Sequence, residues 1–275
     1  MRYLRLFVIL LFLGSLFLFA YSAHRYRMGM NADMPVLRSD TELLELSVND
    51  PEEAIFRGLT ATDATDGDLT DKIMVASTSH FLEPGTVNVK YVVFDRHHNS
   101  TTLTRKVRYT DYVSPVFSLD KAPIYLRGDN FDLLDHITVT DCLDGDISGK
   151  LRLVSGAVSN YSVGTYPVML EAYNSYGDTA RLQVLVTYLD KSQSTASITL
   201  SDYVDYVDQG TQYDPAAKVL AVTDAQGNAL DKSLVILEGN LDTSRPGFYP
   251  MLYSYNDGHY KAQTCMTIVV KEVTP

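Results

Sequence analysis

Acidic side chains at short, repeated spacing are the first residues in this chain that could do chemistry. Asp63, Asp66 and Asp68 stand in the stretch Thr60–Ile73, and Asp141, Asp144 and Asp146 in Ile137–Leu151. Each set closes on an Asp-Gly-Asp. Three carboxylates so near one another could collect around Ca²⁺, a hard cation that takes six to eight oxygens. Their spacing is not that of an EF-hand loop. The alternative is a turn, with Asp-Gly making the reversal and the other carboxylates accepting from nearby backbone N–H groups. A third stretch, Leu220–Leu234, decides between them: Gln226-Gly227-Asn228 stands where the other two have Asp-Gly-Asp. A turn survives that loss and a metal loop in this copy does not, which weighs toward the turn while calcium at the first two copies stays the alternative. The acids are therefore read as turn residues, with no metal site and no cofactor.

Other chemistry fares no better. His97 and His98 are adjacent in a polar loop, without Cys, Asp or Glu at zinc spacing. No G-x-S-x-G elbow, P-loop or G-x-G-x-x-G occurs. Paired carboxylates for glycoside hydrolysis would need one unique site, whereas these acids recur in copies. Tyr203, Tyr206 and Tyr213 could stack on sugars, but tyrosines on strands more often pack in the core or at an edge. Cys142 and Cys265 fall in different copies and are read as two separate thiols. No catalytic residue is assigned, and the chain is read as a non-enzyme.

The elements that carry these turns repeat as well. A Gly-bearing turn that starts a strand follows each copy, at Gly85, Gly164 and Gly247, spaced 79 and 83 residues apart. Polar loops at 95–100, 174–178 and 256–258 then lead to a last strand. Within the strands the apolar residues alternate: Val87, Val89, Tyr91, Val93; Tyr166, Val168, Leu170; Tyr249, Met251, Tyr253. That period of two, broken by regular turns, predicts small antiparallel sandwiches. The expected domains are 34–110, 113–189 and 195–273. The linker 110–115 is short and holds Pro115, which predicts a fixed junction. The polar linker 190–195 predicts a mobile third domain.

The order T-A-T-D-x-x-D-G-D-L-T, then P-G-T, then V-x-Y-x-V-x-D-x-x-x-N resembles the bacterial Ig-like repeats of the pesticidal-crystal-protein type, relatives of hyalin-repeat modules. The resemblance is strong over 60–99, good over 138–179 and weaker in the third copy. It implies Ig-like β-sandwiches in tandem on a surface or secreted protein, acting as spacer or binding module without catalysis.

The N-terminus adds an address. Arg2 and Arg5 precede an uncharged apolar run from Leu6 to Ala20. It is expected to be a signal-anchor helix over about 4–23 with a short stalk up to residue 33; Ala20-Tyr21-Ser22 also fits a cleavage site, which would make the product secreted. The net charge of −11 argues against nucleic acid as a partner. The resulting expectation is an all-β, single-pass membrane protein, extracytoplasmic in bulk, with a structural, adhesive or ligand-binding role. Its partners would be the membrane and a cell-surface protein or glycan; the alternative is a carbohydrate-binding surface protein.

Overall fold

The computed structural model describes residues 2–32 and 34–272, with side chains from 9–24 and 34–272. A helix, α1 (Arg2–Ala32), comes first. Its described apolar side chains point to every side and are exposed, with Ile9, Leu10, Phe12, Phe17 and Phe19 each more than half accessible. Among the described residues no helix is long and apolar enough to cross a membrane. The membrane span expected over 4–23 is thus not shown.

The rest of the described chain is mainly β and falls into two compact units, 1–112 and 113–275. In the first unit β1 (Val36–Ser39), β3 (Leu59–Asp63) and β4 (Gly67–Asp68) form one sheet. The other runs in the order β2 (Leu43–Leu46), β7 (Ser100–Tyr109), β6 (Thr86–Phe94), β5 (Met74–Thr78). The chain changes sheets at 40–42, and β2 then pairs in parallel with β7 while the other ladders are antiparallel. The alternation read from the sequence is the core: Val87, Val89, Tyr91 and Val93 are all buried between the sheets. A pleated strand sends every second side chain to one face, so hydrophobic burial selects this register.

The second unit holds this sheet arrangement twice. β8 (Val116–Leu119), β10 (Ile137–Asp141) and β11 (Gly145–Asp146) oppose β9 (Ile124–Leu126), β14 (Thr179–Leu189), β13 (Gly164–Tyr173) and β12 (Arg152–Ser155). Then β15 (Ala196–Leu200) and β17 (Val219–Asp224) oppose β16 (Val204–Asp208), β20 (Lys261–Lys271), β19 (Gly247–Asn256) and β18 (Ile236–Glu238). One core centres on Val168, Leu170, Val184 and Tyr188, the other on Met251, Tyr253, Met266 and Ile268.

The expected mobile junction at 190–195 is corrected here. The two sheet pairs of the second unit pack on each other. Val204 belongs to the core of the preceding pair, and Tyr203, Tyr206, Phe248 and Val269 lie against it. The Phe117 N–H donates to Tyr206 Oη at 2.7 Å, Cys265 Sγ–H to the Leu185 carbonyl at 3.2 Å, and Thr267 Oγ1–H to that of Gln183 at 2.7 Å. The linker is polar because it makes a capped turn at 191–193, not because it swings free. The contact is made by side chains far from it in sequence.

Candidate functional site

Each aspartate turn is built by a strand that ends on Asp and doubles back at once. Asp63 pairs with Gly67 and Thr62 with Asp68, and the second copy pairs Asp141 with Gly145. Reversal in so few residues puts the glycine in the left-handed region, at φ +76° for Gly67, +72° for Gly145 and +86° for Gly227, where a Cβ is strained. The leading carboxylate closes the loop. Asp63 Oδ1 accepts from Thr65 N–H and Asp66 N–H, both at 2.8 Å. Asp141 Oδ1 does the same with Leu143 and Asp144, and Asp224 Oδ1 with Gln226 and Asn228.

The second aspartate reaches across the sandwich to the loop before the last strand. Asp66 Oδ2 accepts from Arg96 N–H at 2.8 Å, and its Oδ1 forms an ion pair with the Arg96 side chain. Asp144 accepts from Ser175 N–H at 2.6 Å, from its hydroxyl at 2.7 Å, and from Lys150 Nζ at 3.3 Å. Arg96 N–H in particular holds the Asp66 carboxyl below its ordinary range. At Asp144 burial pushes upward, but the Ser175 and Lys150 donors outweigh it and its carboxyl lies low too. The third aspartate caps the next turn, Asp68 through Thr70 and Asp146 through Ser148. Turn and clamp account for the motif. Among the described residues no group of three or more His, Cys, Asp or Glu is placed to hold a metal ion.

One position differs between copies. Asn174 Nδ2 donates to Asp141 Oδ2 at 3.1 Å, while its Oδ1 accepts from Tyr176 and Asp178 N–H. Asp95 makes the same acceptor pattern with His97 and Asn99 N–H but is a carboxylate. Asp63 Oδ2 consequently stays buried without a hydrogen-bond partner. His97 serves this loop through its backbone, and His98 takes φ +66° to complete it. Neither is brought to the aspartates as a ligand.

The remaining residues singled out from the sequence are structural. Tyr206 is pushed up to about 12 by burial against the neighbouring sheet pair, and Tyr213 Oη–H donates to Asp205 Oδ2 at 2.8 Å. Cys142 and Cys265 are not joined in a disulfide; the first is exposed and the second buried.

Sequence reasoning missed Arg105. Counted from the landmark glycines, it holds the place of Val184 and Met266. It is 2% exposed, in the core of the first unit. Its Nη1 donates to the Arg57 carbonyl at 2.7 Å and Ser39 Oγ at 3.1 Å, and its Nη2 to the Ile55 carbonyl at 2.8 Å and Tyr91 Oη at 3.3 Å. The guanidinium also lies 5.3 Å from the Tyr91 ring centre. Nε is buried without a partner. The only sequence signal was a charged residue on the inward parity of β7. Beside it, where the chain changes sheets, is an open cavity of about 750 Å³ lined by residues 39–43 and Leu103–Lys106, with Asn88.

No family model matches the chain. It is distantly homologous to the pesticidal crystal protein Cry22Aa of Bacillus thuringiensis, at 30% identity over 224 residues, covering 77% of this chain and 30% of that protein. An uncharacterised 81.3 kDa protein of Acholeplasma phage L2 is 23% identical over 252 residues, covering 86% and 33%. The chain therefore spans about a third of the length of these curated relatives. Among solved structures, CBM51-2 in complex with GlcNAc and INT domains from Clostridium perfringens ZmpB matches 54% of this chain and 26% of its own, at 19% identity and a TM-score of 0.24. Human CDH23 EC21-23 matches 86% and 100%, at 12% identity and a TM-score of 0.21. TM-scores this low carry no functional weight.

Proposed function

We propose that this chain is a membrane-anchored, extracytoplasmic protein of three tandem Ig-like β-sandwiches, with a structural, adhesive or ligand-binding role and no catalysis. The observation that carries the reading is where the acids go. Side chains that could have held a metal or moved a proton instead accept from the backbone of their own turn and clamp the loop opposite. That is the chemistry of a rigid module. The packing of the last two sheet pairs favours the same reading, since it makes a stiff spacer of them.

The anchor rests on α1. A helix apolar on all sides needs apolar surroundings on all sides. The run 4–23 would be about 30 Å long as a helix, close to the thickness of a bilayer core. The sandwiches, which carry the acidic repeats, would lie outside. Fractionation of cells making the full chain, followed by external protease, tests this: the chain should pellet with membranes and be cut from outside. A soluble product that starts near Ala23 would replace the anchor with a cleaved signal. Binding to wall or surface glycans in a pull-down would favour the carbohydrate-binding alternative.

A further inference from the structure

The cavity at the strand switch of the first unit has a counterpart that is filled. In the second sheet pair, β9 pairs with β14 only from Thr187 to Leu189. The earlier half of β14 is left with a free edge, and the next sheet pair covers it: Cys265 and Thr267, on the outer face of β20, donate to the Leu185 and Gln183 carbonyls. Phe248 and Val269 on the same face pack against the core behind that edge. The fold thus has a docking mode in which the outer sheet face of one sandwich lies on the strand-switch edge of another. Free edges call for such cover.

In the first unit β2 pairs with β7 only from Lys106 to Tyr109, so β7 has the same free edge, here facing the cavity. Its outer face is different in chemistry. Thr104 and Lys106 take the positions of Cys265 and Thr267, and Lys90 that of Leu252. This face is polar and basic, unfit for an apolar seat. The strand switch beside it carries Asp40 and Glu42. These four charged side chains are exposed and form no ion pair among the described residues.

We propose that the first unit binds a second copy of this chain, the basic face (Lys90, Lys106) of each copy lying on the acidic strand switch (Asp40, Glu42) of the other. Face and switch adjoin, since Lys106 N–H donates to the Glu42 carbonyl at 3.1 Å, so one two-fold axis satisfies both contacts and closes the pair. Two chains of net charge −11 repel overall. They can approach only where opposite charges meet locally, and this unit presents both signs side by side.

Sedimentation of the full chain in detergent micelles, over a range of salt, tests it. The expected result is a dimer that weakens as salt rises. The variant K90E/K106E, and separately D40K/E42K, should each dimerise about tenfold more weakly or worse. An equimolar mixture of the two should restore dimers, because every contact is again between opposite charges. A monomer at the highest soluble concentration in low salt overturns the proposal. So does a dimer indifferent to both reversals, which would place association on α1 or another surface, and so does failure of the mixture to recover. Should a variant not fold, salt dependence of the unaltered chain remains decisive: a dimer insensitive to salt refutes the charge pairing.

Discussion

Replacing Arg105 with Met exchanges a buried cation for the residue that holds the same position, Met266, in the last sheet pair. Two effects oppose each other. Removing the guanidinium deletes its bonds to the Ile55 and Arg57 carbonyls, which tie the end of the 3-10 turn Glu52–Phe56 and its C-cap to the core. Hydrogen bonds from a charged donor contribute roughly 1.5–3 kcal/mol each. The Ile55 carbonyl keeps a bond from Tyr91 Oη–H at 2.7 Å, so its loss is partial, whereas Arg57 O loses its guanidinium donor. Against this, the variant removes a buried N–H at Nε that has no partner, a relief of about 1–3 kcal/mol. It also ends the desolvation of a charge that forms no ion pair among the described residues. The balance is a net loss of about 1–2 kcal/mol, or roughly 5–15 °C in the melting temperature of a unit this size. Calorimetry or urea unfolding of the full chain should show one transition falling while that of the second unit holds. An unchanged or more stable first unit would refute the reasoning, since it would mean that desolvating the cation cancels all its carbonyl bonds.

Asp95→Asn gives an amide that can donate to the orphaned Asp63 Oδ2 as Asn174 does to Asp141, but gives up the bond that Asp95 Oδ2 accepts from Asn99 Nδ2 at 2.7 Å, so the stability of the first unit should change by less than about 1 kcal/mol; a larger shift of the urea midpoint in either direction would contradict this. Asp144 lies below its ordinary carboxyl range, so its contribution is complete above the unfolded value near 4 and lost as pH falls below it. Asp144→Asn should flatten the acid limb of the second unit's stability curve below about pH 4, and an unchanged limb would count against the clamp. If the aspartate turns are turns only, EDTA and millimolar calcium should leave every transition in place; an upward shift with calcium, abolished in Asp66→Asn, would show a metal site instead. Limited proteolysis should spare Lys191 until Thr267→Val and Tyr206→Phe together loosen the contact between the last two sheet pairs, and early cleavage there in the unaltered chain would show a free hinge.

Much of this was legible along the chain. Inward residues such as Val89, Tyr91, Val168 and Tyr253 followed from alternation, because a strand's side chains have a period of two and burial chooses one parity. The turns followed from Asp-Gly, because few residues other than glycine tolerate the backbone that the reversal needs. Failure of the third copy to keep its acids pointed to turn chemistry, and the structure places those acids on backbone N–H groups. What the sequence could not carry was anything made by two segments far apart. Phe248, Cys265 and Thr267 have outward parity and read as solvent-facing; only packing against Gln183 and Leu185 shows that another sandwich covers them. Arg105 has inward parity and reads as a violation, until the Ile55 and Arg57 carbonyls appear around it from a loop some fifty residues earlier. Local pattern determines which way a side chain points, because the backbone repeats over two residues. Whether water or protein meets it there depends on segments brought close only by folding.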